Sequence, residues 1–169
     1  MLLDEILLAS RLDAGLEQDL PRELVHLDAL VIEECARYGA ACDTEPTRIT
    51  GNDALLRRLL RNLLQNAQRY GGGTATVALR GDGHVTRLSV TDHGPGVPDA
   101  ERERVFEPFY RLPAAPPGGT GLGLALVRQI ARNHGGDASC EPAPSGGASF
   151  VVRLPVQESS TTDSPSNTR

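Results

Sequence analysis

Apolar positions along the chain recur at a helical period in some stretches and alternate in others. In LLDEILLASRL, Leu3, Ile6, Leu7 and Ser10 fall on one stripe, with Leu2, Leu8 and Leu12 beside it. This broad apolar face predicts a helix that Gly15 ends. It needs a partner helix, and a helix-bundle interface is preferred over packing on its own domain. A linker containing Pro21 follows, over 16–23. LVHLDALVIEECARYGA predicts a second amphipathic helix, ending near Gly39. CDTEPTRITGN reads as loop with at most one short strand, Thr47 to Thr50.

Asn52 or Asp53 then caps a leucine-striped helix that runs to Tyr70. After Gly71, Gly72 and Gly73 the period drops to two. TATVALR and VTRLSVTD predict strands joined by the hairpin turn GDGH. A glycine turn, a short acidic helix start and a Pro/Ala/Gly loop lead into a helix from about Gly121 to His134, closed by Gly135. DASCEPAPSGGASFVVRLPV predicts a last hairpin, and the Ser/Thr-rich stretch 157–169 has nothing apolar to bury and predicts a disordered tail. No internal repeat is visible. The order of elements predicts an α+β fold, a two-layer sandwich with helices on one face of a mixed, mostly antiparallel sheet.

Composition narrows the function classes. The chain has 169 residues, 39% hydrophobic and 23% charged, enough for one domain with a real core plus appendages. Aromatics make up 4% and Trp is absent, which argues against a stacking platform for single-stranded nucleic acid. A net charge of -5 and a pI of about 5.3 argue against a broad basic face, so no nucleic-acid partner is expected. A local anion site built from backbone amides remains open to an acidic protein. Cys35, Cys42 and Cys140 are an odd set without CxxC spacing, which reads as free thiols in a reducing cytosol. The start of the chain carries acids where a signal peptide needs bases, and no apolar run approaches a membrane span. A cytoplasmic location without membrane contact is expected.

Candidate chemistry begins in RNLLQNAQRYGGG, where two asparagines interrupt a leucine stripe. On a helix, Leu56, Leu60, Leu63, Leu64 and Ala67 cover the sector that faces a sheet, while Arg57, Arg61 and Gln68 point away. Asn62, Asn66 and Arg69 line up within about 60° at the border, flanked by Tyr70. An amide oxygen there can ligate a hard metal ion and the guanidinium can hold a phosphate, or the stripe is a hydrated helix edge. In DHGPG, Asp92 ends a strand before two glycines. Its carboxylate can accept from a donor edge such as an exocyclic amine, or it caps a turn. GGTGLGLALV places Gly119, Gly121 and Gly123 at a helix N-terminus, an anion site in principle. It is neither a dinucleotide fingerprint, which needs a preceding strand, nor a Walker A loop, which needs GK[ST]. FEPFYR sets two aromatics three apart, able to anchor a mobile segment or to fill the core, as at least Phe106 should.

Each motif alone is weak. Their order, an Asn/Asn helix, then DxGxG, FxPF and GxGxGxL, resembles the N, G1, F and G2 boxes of sensor histidine kinases. These belong to the Bergerat-fold ATPase group with DNA gyrase, heat-shock chaperone ATPases and mismatch-repair ATPases. The resemblance covers about 24–156, including NHGG and FVVRLP, and LLDEILLASRLDAGLE resembles the end of the second helix of the kinases' dimerisation and phosphoacceptor domain. It implies a dimerisation-helix end at 1–15, a linker at 16–23 and an ATP-binding catalytic domain at 24–156 with ATP and Mg2+ as ligands. Asn66 would ligate the Mg2+, Arg69 would replace the family's usual lysine beside the phosphates, and Tyr70 would lie beside the nucleotide. Asp92 would bind the adenine amine, with Gly94, Gly96 and Val97 around it. Residues 98–118 would form the ATP lid, with Phe109 and Arg111 in contact with nucleotide. Gly119, Thr120, Gly121, Leu122, Gly123 and Leu124 would offer backbone to the phosphates, and Ser149 would support the adenine site.

Asn62, Asn66 and Arg69 would form the catalytic set. Hydrolysing members, and the anti-sigma serine kinases, carry a Glu base at the position of Asn62, and an amide cannot take a proton at neutral pH. That suits a kinase whose nucleophile is a histidine imidazole brought from elsewhere. The four histidines here precede Leu27, Val85, Gly94 and Gly135, unlike the family's acceptor, so the acceptor is expected in a dimerisation domain outside this chain. His93 and His134 read as structural. A response regulator would act downstream, and in the full-length family the sensor part is often membrane-bound. Three departures stand out: Arg69 for lysine, a short stretch from Cys42 to Asn52 that implies a missing edge strand, and a short uncharged lid, LPAAPPGGT, that implies loose closure. With half its bundle surface absent, a monomer or weak homodimer is expected. The competing readings are an anti-sigma-type serine kinase and a non-catalytic nucleotide-sensing module.

Overall fold

A computed structural model describes residues 2–15 and 20–156. Half of the expected linker, 16–19, and the whole expected disordered tail therefore lie outside the described residues. The elements are α1 (Leu2–Asp13), β1 (Glu23–His26), α2 (Leu27–Tyr38), β2 (Ala41–Thr44), β3 (Arg48–Gly51), α3 (Asp53–Tyr70), β4 (Ala75–Gly81), β5 (Val85–Asp92), α4 (Gly123–Asn133), β6 (Asp137–Pro142) and β7 (Ala148–Pro155). Two single 3-10 turns, Asp99–Glu101 and Arg104–Phe106, precede α4.

Five strands form the main sheet in the order β2-β4-β5-β7-β6, and β1 pairs with β3 in a separate ribbon. Only β2 runs parallel to its neighbour; the other pairs are antiparallel. Alternation along the strands sends Leu79, Leu88, Val90, Phe150, Val152 and Leu154 into one core. Against them lie Leu56, Leu59, Leu60, Leu63, Leu64 and Ala67 of α3 and Val127, Ile130 and Ala131 of α4. The predicted α+β two-layer sandwich is therefore present, with the helices on one face. On the opposite face Arg87 and Arg153 both reach Glu141, each at 3.0 Å.

Two local expectations fail. Leu24 and Val25 do not begin a helix; they sit in β1, paired with Thr50 and Ile49. Their apolar side chains fit a helical period, but pairing with β3 overrides local pattern. The expected missing edge strand is also present: β2 lies along β4, with Cys42 opposite Val77. It escaped notice because none of its four residues is buried, so no hydrophobic signal marks it.

Between α2 and α3, Glu34 is fully buried and receives two bonds from Arg61, both at 2.8 Å, and one from Arg57 at 3.3 Å. The Arg61 hydrogen bonds, against the opposing effect of burial, hold its carboxyl below the usual range. Arg57 and Arg61, expected to point away from the sheet, thus bind α2 instead of bulk water alone. Helix α1 is divided. Leu8 and Leu12 pack on the core, while Leu2, Leu3, Ile6 and Leu7 remain exposed. Its acids reach the α4 region, Asp13 accepting from Gln129 at 2.6 Å and Glu5 from Thr120 at 3.2 Å. Helix α1 thus packs in part on its own domain, the less preferred of the two readings of its apolar face.

Candidate functional site

Helix α3 starts where predicted. The Asn52 side chain caps it, accepting from Leu55 N at 3.0 Å. The leucine stripe packs it on the sheet, and this fixes the rotation of the asparagine stripe. Asn62 is 9% exposed and its Nδ2 donates to the Gly123 carbonyl at 3.2 Å. Asn66, one turn on, is half-buried and has no hydrogen-bond partner among the described residues. Its amide oxygen is thus available to a cation. Arg69 Nη1 donates to the Gly118 carbonyl at 3.2 Å.

Strand β5 delivers Asp92 beside the end of α3. The carboxylate is 4% exposed, and its Oδ1 accepts from Gly94 N at 3.0 Å and Ala148 N at 3.1 Å. Oδ2 has no protein partner among the described residues, so it is the face offered to a ligand. Close approach of backbone makes this seat. A Cβ on Gly71 would overlap Asp92 Cβ, and one on Gly147 would stand 2.8 Å from Asp92 Oδ1. The His93 N–H donates to the Gly71 carbonyl at 3.2 Å, and Gly94 packs under the Tyr70 backbone. The DHGPG turn and the end of α3 therefore form one rigid corner that holds Asn66, Arg69, Tyr70 and Asp92 together. Val97, just beyond, packs against the core.

The glycine loop closes the site from the other side. The first intrahelical bond of α4 runs from Leu126 N to the Leu122 carbonyl at 2.9 Å, so the amides of Gly123, Leu124 and Ala125 precede it. With the positive helix end they can bind an anion. Leu122 itself is buried, and its N–H is taken by Thr120 Oγ1 at 3.2 Å. A Cβ on Gly119 would stand 3.2 Å from Arg69 Nη1, 3.6 Å from Arg111 Nε and in overlap with Tyr70 Oη. Gly119 is thus the point on which Arg69, Tyr70 and Arg111 converge, while Arg111 also donates to the Pro116 carbonyl.

The two phenylalanines of FEPFYR separate. Phe106 is core, set edge-on to Phe150 at 6.3 Å with the Arg128 guanidinium 4.4 Å from its ring centre. Phe109 is 62% exposed and has φ 65, the left-handed region. Its N–H donates to the Gly121 carbonyl at 2.9 Å, and a Cβ on Gly121 would meet its Cα at 2.7 Å. So glycine at 121 is needed for the lid base to cross the glycine loop. Segment 109–118 is held at both ends, by the Phe109 N–H on the Gly121 carbonyl and by Arg69 on the Gly118 carbonyl, although residues 112–118 between them carry no charge.

Ser149 is not brought to the site. It is the cross-strand partner of Thr91, and their hydroxyls share a 3.0 Å hydrogen bond on the sheet face away from Asp92 and the helices. Alternation gives the inner position to Ala148, whose backbone rather than side chain serves Asp92. Gly71, Gly147 and Ala148 are the site residues that motif reading missed; only the doubled glycines of GGG and SGG hinted at them. His134 is structural, as expected. Its Nδ1 donates to the Ile130 carbonyl at 2.8 Å, and its Nε2 accepts from Asn52 N at 3.1 Å. Burial pushes its pKa below the ordinary imidazole value.

The described residues therefore offer a buried carboxylate with one open oxygen, a free amide oxygen, two guanidiniums that meet at Gly119 and a row of amides at the start of α4. Among the described residues no three-residue cluster of His, Cys, Asp or Glu could hold a metal, so a cation here would need Asn66 and a ligand's own oxygens. Nor is any helix among them long and apolar enough to cross a membrane.

Comparison with known proteins identifies the family and the fold. Residues 51–158 match the family model described as histidine kinase-, DNA gyrase B-, and HSP90-like ATPase. The sensor-like histidine kinase SenX3 of Mycolicibacterium smegmatis is 34% identical over 169 aligned positions, covering 91% of this chain and 44% of that protein. The chain thus spans less than half the length of this curated relative. Among solved structures, the mycobacterial sensor histidine kinase MprB superposes with a TM-score of 0.72 at 30% identity, covering 79% of this chain and 97% of that one. The ATP-binding domain of PrrB from Mycobacterium tuberculosis gives 0.65 at 33% identity, covering 81% and 98%.

Proposed function

The chain belongs to the histidine kinase-, DNA gyrase B- and HSP90-like ATPases, and from that premise we propose that it binds Mg-ATP and presents the γ-phosphoryl group to a histidine of a dimerisation domain. The observation that carries this reading is the Asp92 seat: a buried carboxylate with one oxygen committed to two backbone amides and the other open. Such a seat selects a ligand that donates, as the adenine amine does. Asn66 would hold the divalent cation, which when bound neutralises charge on the phosphates. Arg69 and Arg111 orient the phosphate chain, and the amides of Gly123, Leu124 and Ala125 accept its charge at the helix end.

Neither Asn62 nor His134 can take a proton from the nucleophile. Asn62 is an amide committed as a donor to Gly123. His134 has both ring nitrogens engaged within the fold. A neutral imidazole from another domain needs no base, attacks phosphorus as the bond to ADP breaks, and fits this site. A serine acceptor, as in the anti-sigma-type reading, does need one, which disfavours that reading. A response regulator would then receive the group. Helix α1 spends Leu8 and Leu12 on its own domain and leaves Leu2, Leu3, Ile6 and Leu7 exposed, a patch small enough for a weak dimer or a monomer in solution.

Calorimetric titration with a non-hydrolysable ATP analogue tests the binding step. Micromolar affinity is expected, abolished in Asp92→Ala, with the Mg2+ enhancement lost in Asn66→Ala. Transfer from labelled ATP to a supplied phosphoacceptor domain tests the second step. Tight binding without transfer to any acceptor would instead mark a nucleotide-sensing module.

A further inference from the structure

The asparagine stripe contains two amides in different situations. Asn66 is open, whereas Asn62 is nine-tenths buried and donates across an interhelical gap to the Gly123 carbonyl at 3.2 Å. Gly123 is the first residue of α4, and its own N–H belongs to the row that precedes the helix's first internal bond. The acceptor on Gly123 is a lone pair not required by the helix, since a carbonyl can accept twice. Asn62 thus reaches from α3 to the very peptide that begins the anion-binding end of α4.

We propose that Asn62 is a positioning residue for the phosphate site. Its amide fixes the separation between the half that carries Asn66 and Arg69 and the half made by the Gly119–Gly123 backbone. It does so by donating to Gly123, not by touching metal or phosphate. This inference rests on the nucleotide-binding reading above. The chemistry is specific to a donor. A carboxylate of the same size at position 62 has no proton to give and sets negative oxygen against the carbonyl dipole. The first turn of α4 would then move away from Asn66.

The adenine end is independent of this bond. Asp92 is held by Gly94 and Ala148, neither of which is near Asn62 in the hydrogen-bond pattern. A positioning role therefore predicts a loss confined to phosphates. A general loss of fold would weaken every ligand equally, and direct contact with the cation would show only when the cation is present.

The test uses the full chain and three ligands: a non-hydrolysable ATP analogue, ADP and adenosine, each titrated in Mg2+ and in EDTA. Asn62→Asp is expected to weaken the triphosphate analogue by about tenfold, in EDTA as well as in Mg2+. Adenosine affinity should change by less than about twofold. Asn62→Ala, which removes the donor without adding charge, should show the same pattern more weakly and serves if the first variant does not fold. Hydrogen exchange at 121–125 should rise in both. An unchanged triphosphate affinity, an equal loss for adenosine, or a loss confined to Mg2+ would each overturn the proposal. A wild-type chain that binds none of the three ligands would overturn the nucleotide reading itself, which separates the two failures.

Discussion

Replacing Asp92 by asparagine changes one atom's chemistry and almost none of its shape. Oδ1 accepts from Gly94 N and Ala148 N, and an amide oxygen can keep both bonds, though without charge. The opposite position changes from acceptor to donor. An adenine amine that met a carboxylate oxygen would meet an NH2 group, so a charge-assisted hydrogen bond of about 1.5–3 kcal/mol is lost. At about 1.4 kcal/mol per decade, the ATP analogue should bind roughly 10- to 150-fold more weakly in Asp92→Asn. The same donor should now suit a base that presents a carbonyl at that edge. The inosine analogue, disfavoured by the wild type because two acceptors face each other, should gain on the adenine analogue. Paired calorimetric titrations of the two analogues on both proteins read this out, with thermal melts to confirm that the seat still folds. Unchanged ATP affinity would refute the placement of adenine on Asp92. An equal loss for both bases would mean that the substitution damages the pocket and that Oδ2 reads no edge.

Three further outcomes follow from burial and charge. Glu34→Gln removes the only carboxylate between Arg57 and Arg61 that is fully buried, yet both arginines keep some contact with water; a loss of about 2 kcal/mol in urea unfolding is expected, and a loss within error would mean the cluster is dispensable. His134 has a depressed pKa in the fold, so the unfolded chain binds more protons as pH drops below about 6.5, and stability should fall from pH 7 to pH 5. Glu34, Asp137 and Glu141 have lowered pKa values, so their contribution stays intact above the ordinary carboxylate range and the slope in this window belongs to His134; His134→Asn should flatten it, and an unchanged slope would place its origin elsewhere. Burial pushes the Cys35 thiol up to about 12 and the Cys140 thiol up to about 11, so at neutral pH a thiol reagent should modify exposed Cys42 alone in the folded chain and all three after unfolding.

Much of this was legible because the decisive signals are local. The leucine period of α3 fixes which way Asn66 and Arg69 face, and glycine spacing marks both turns of the candidate site. What escaped depends on partners distant in sequence. Strand β1 exists because Arg48–Gly51 pairs with it, and β2 because β4 offers an edge. Ser149 stands one residue out of phase with the inner face of β7, and in a strand a shift of one residue reverses the face. The engagement of Asn62 with Gly123, 61 positions away, has no local signature at all.

The two amides on Asp92 Oδ1 come from positions of very different age in synthesis. Gly94 follows Asp92 immediately, whereas Ala148 opens the last strand, 56 residues later. A ribosome that has released the chain as far as α4 has already made every residue of the asparagine helix, the DHGPG turn and the glycine loop. Yet the carboxylate still lacks half of its support, because β7 is not there to wedge between β5 and β6. Ligand competence should therefore arrive abruptly, only once β7 has been made, as one long-range closure rather than in stages. Chains stalled before β7 would carry the asparagine helix, the DHGPG turn, FEPFYR and the glycine loop, and would still hold no nucleotide.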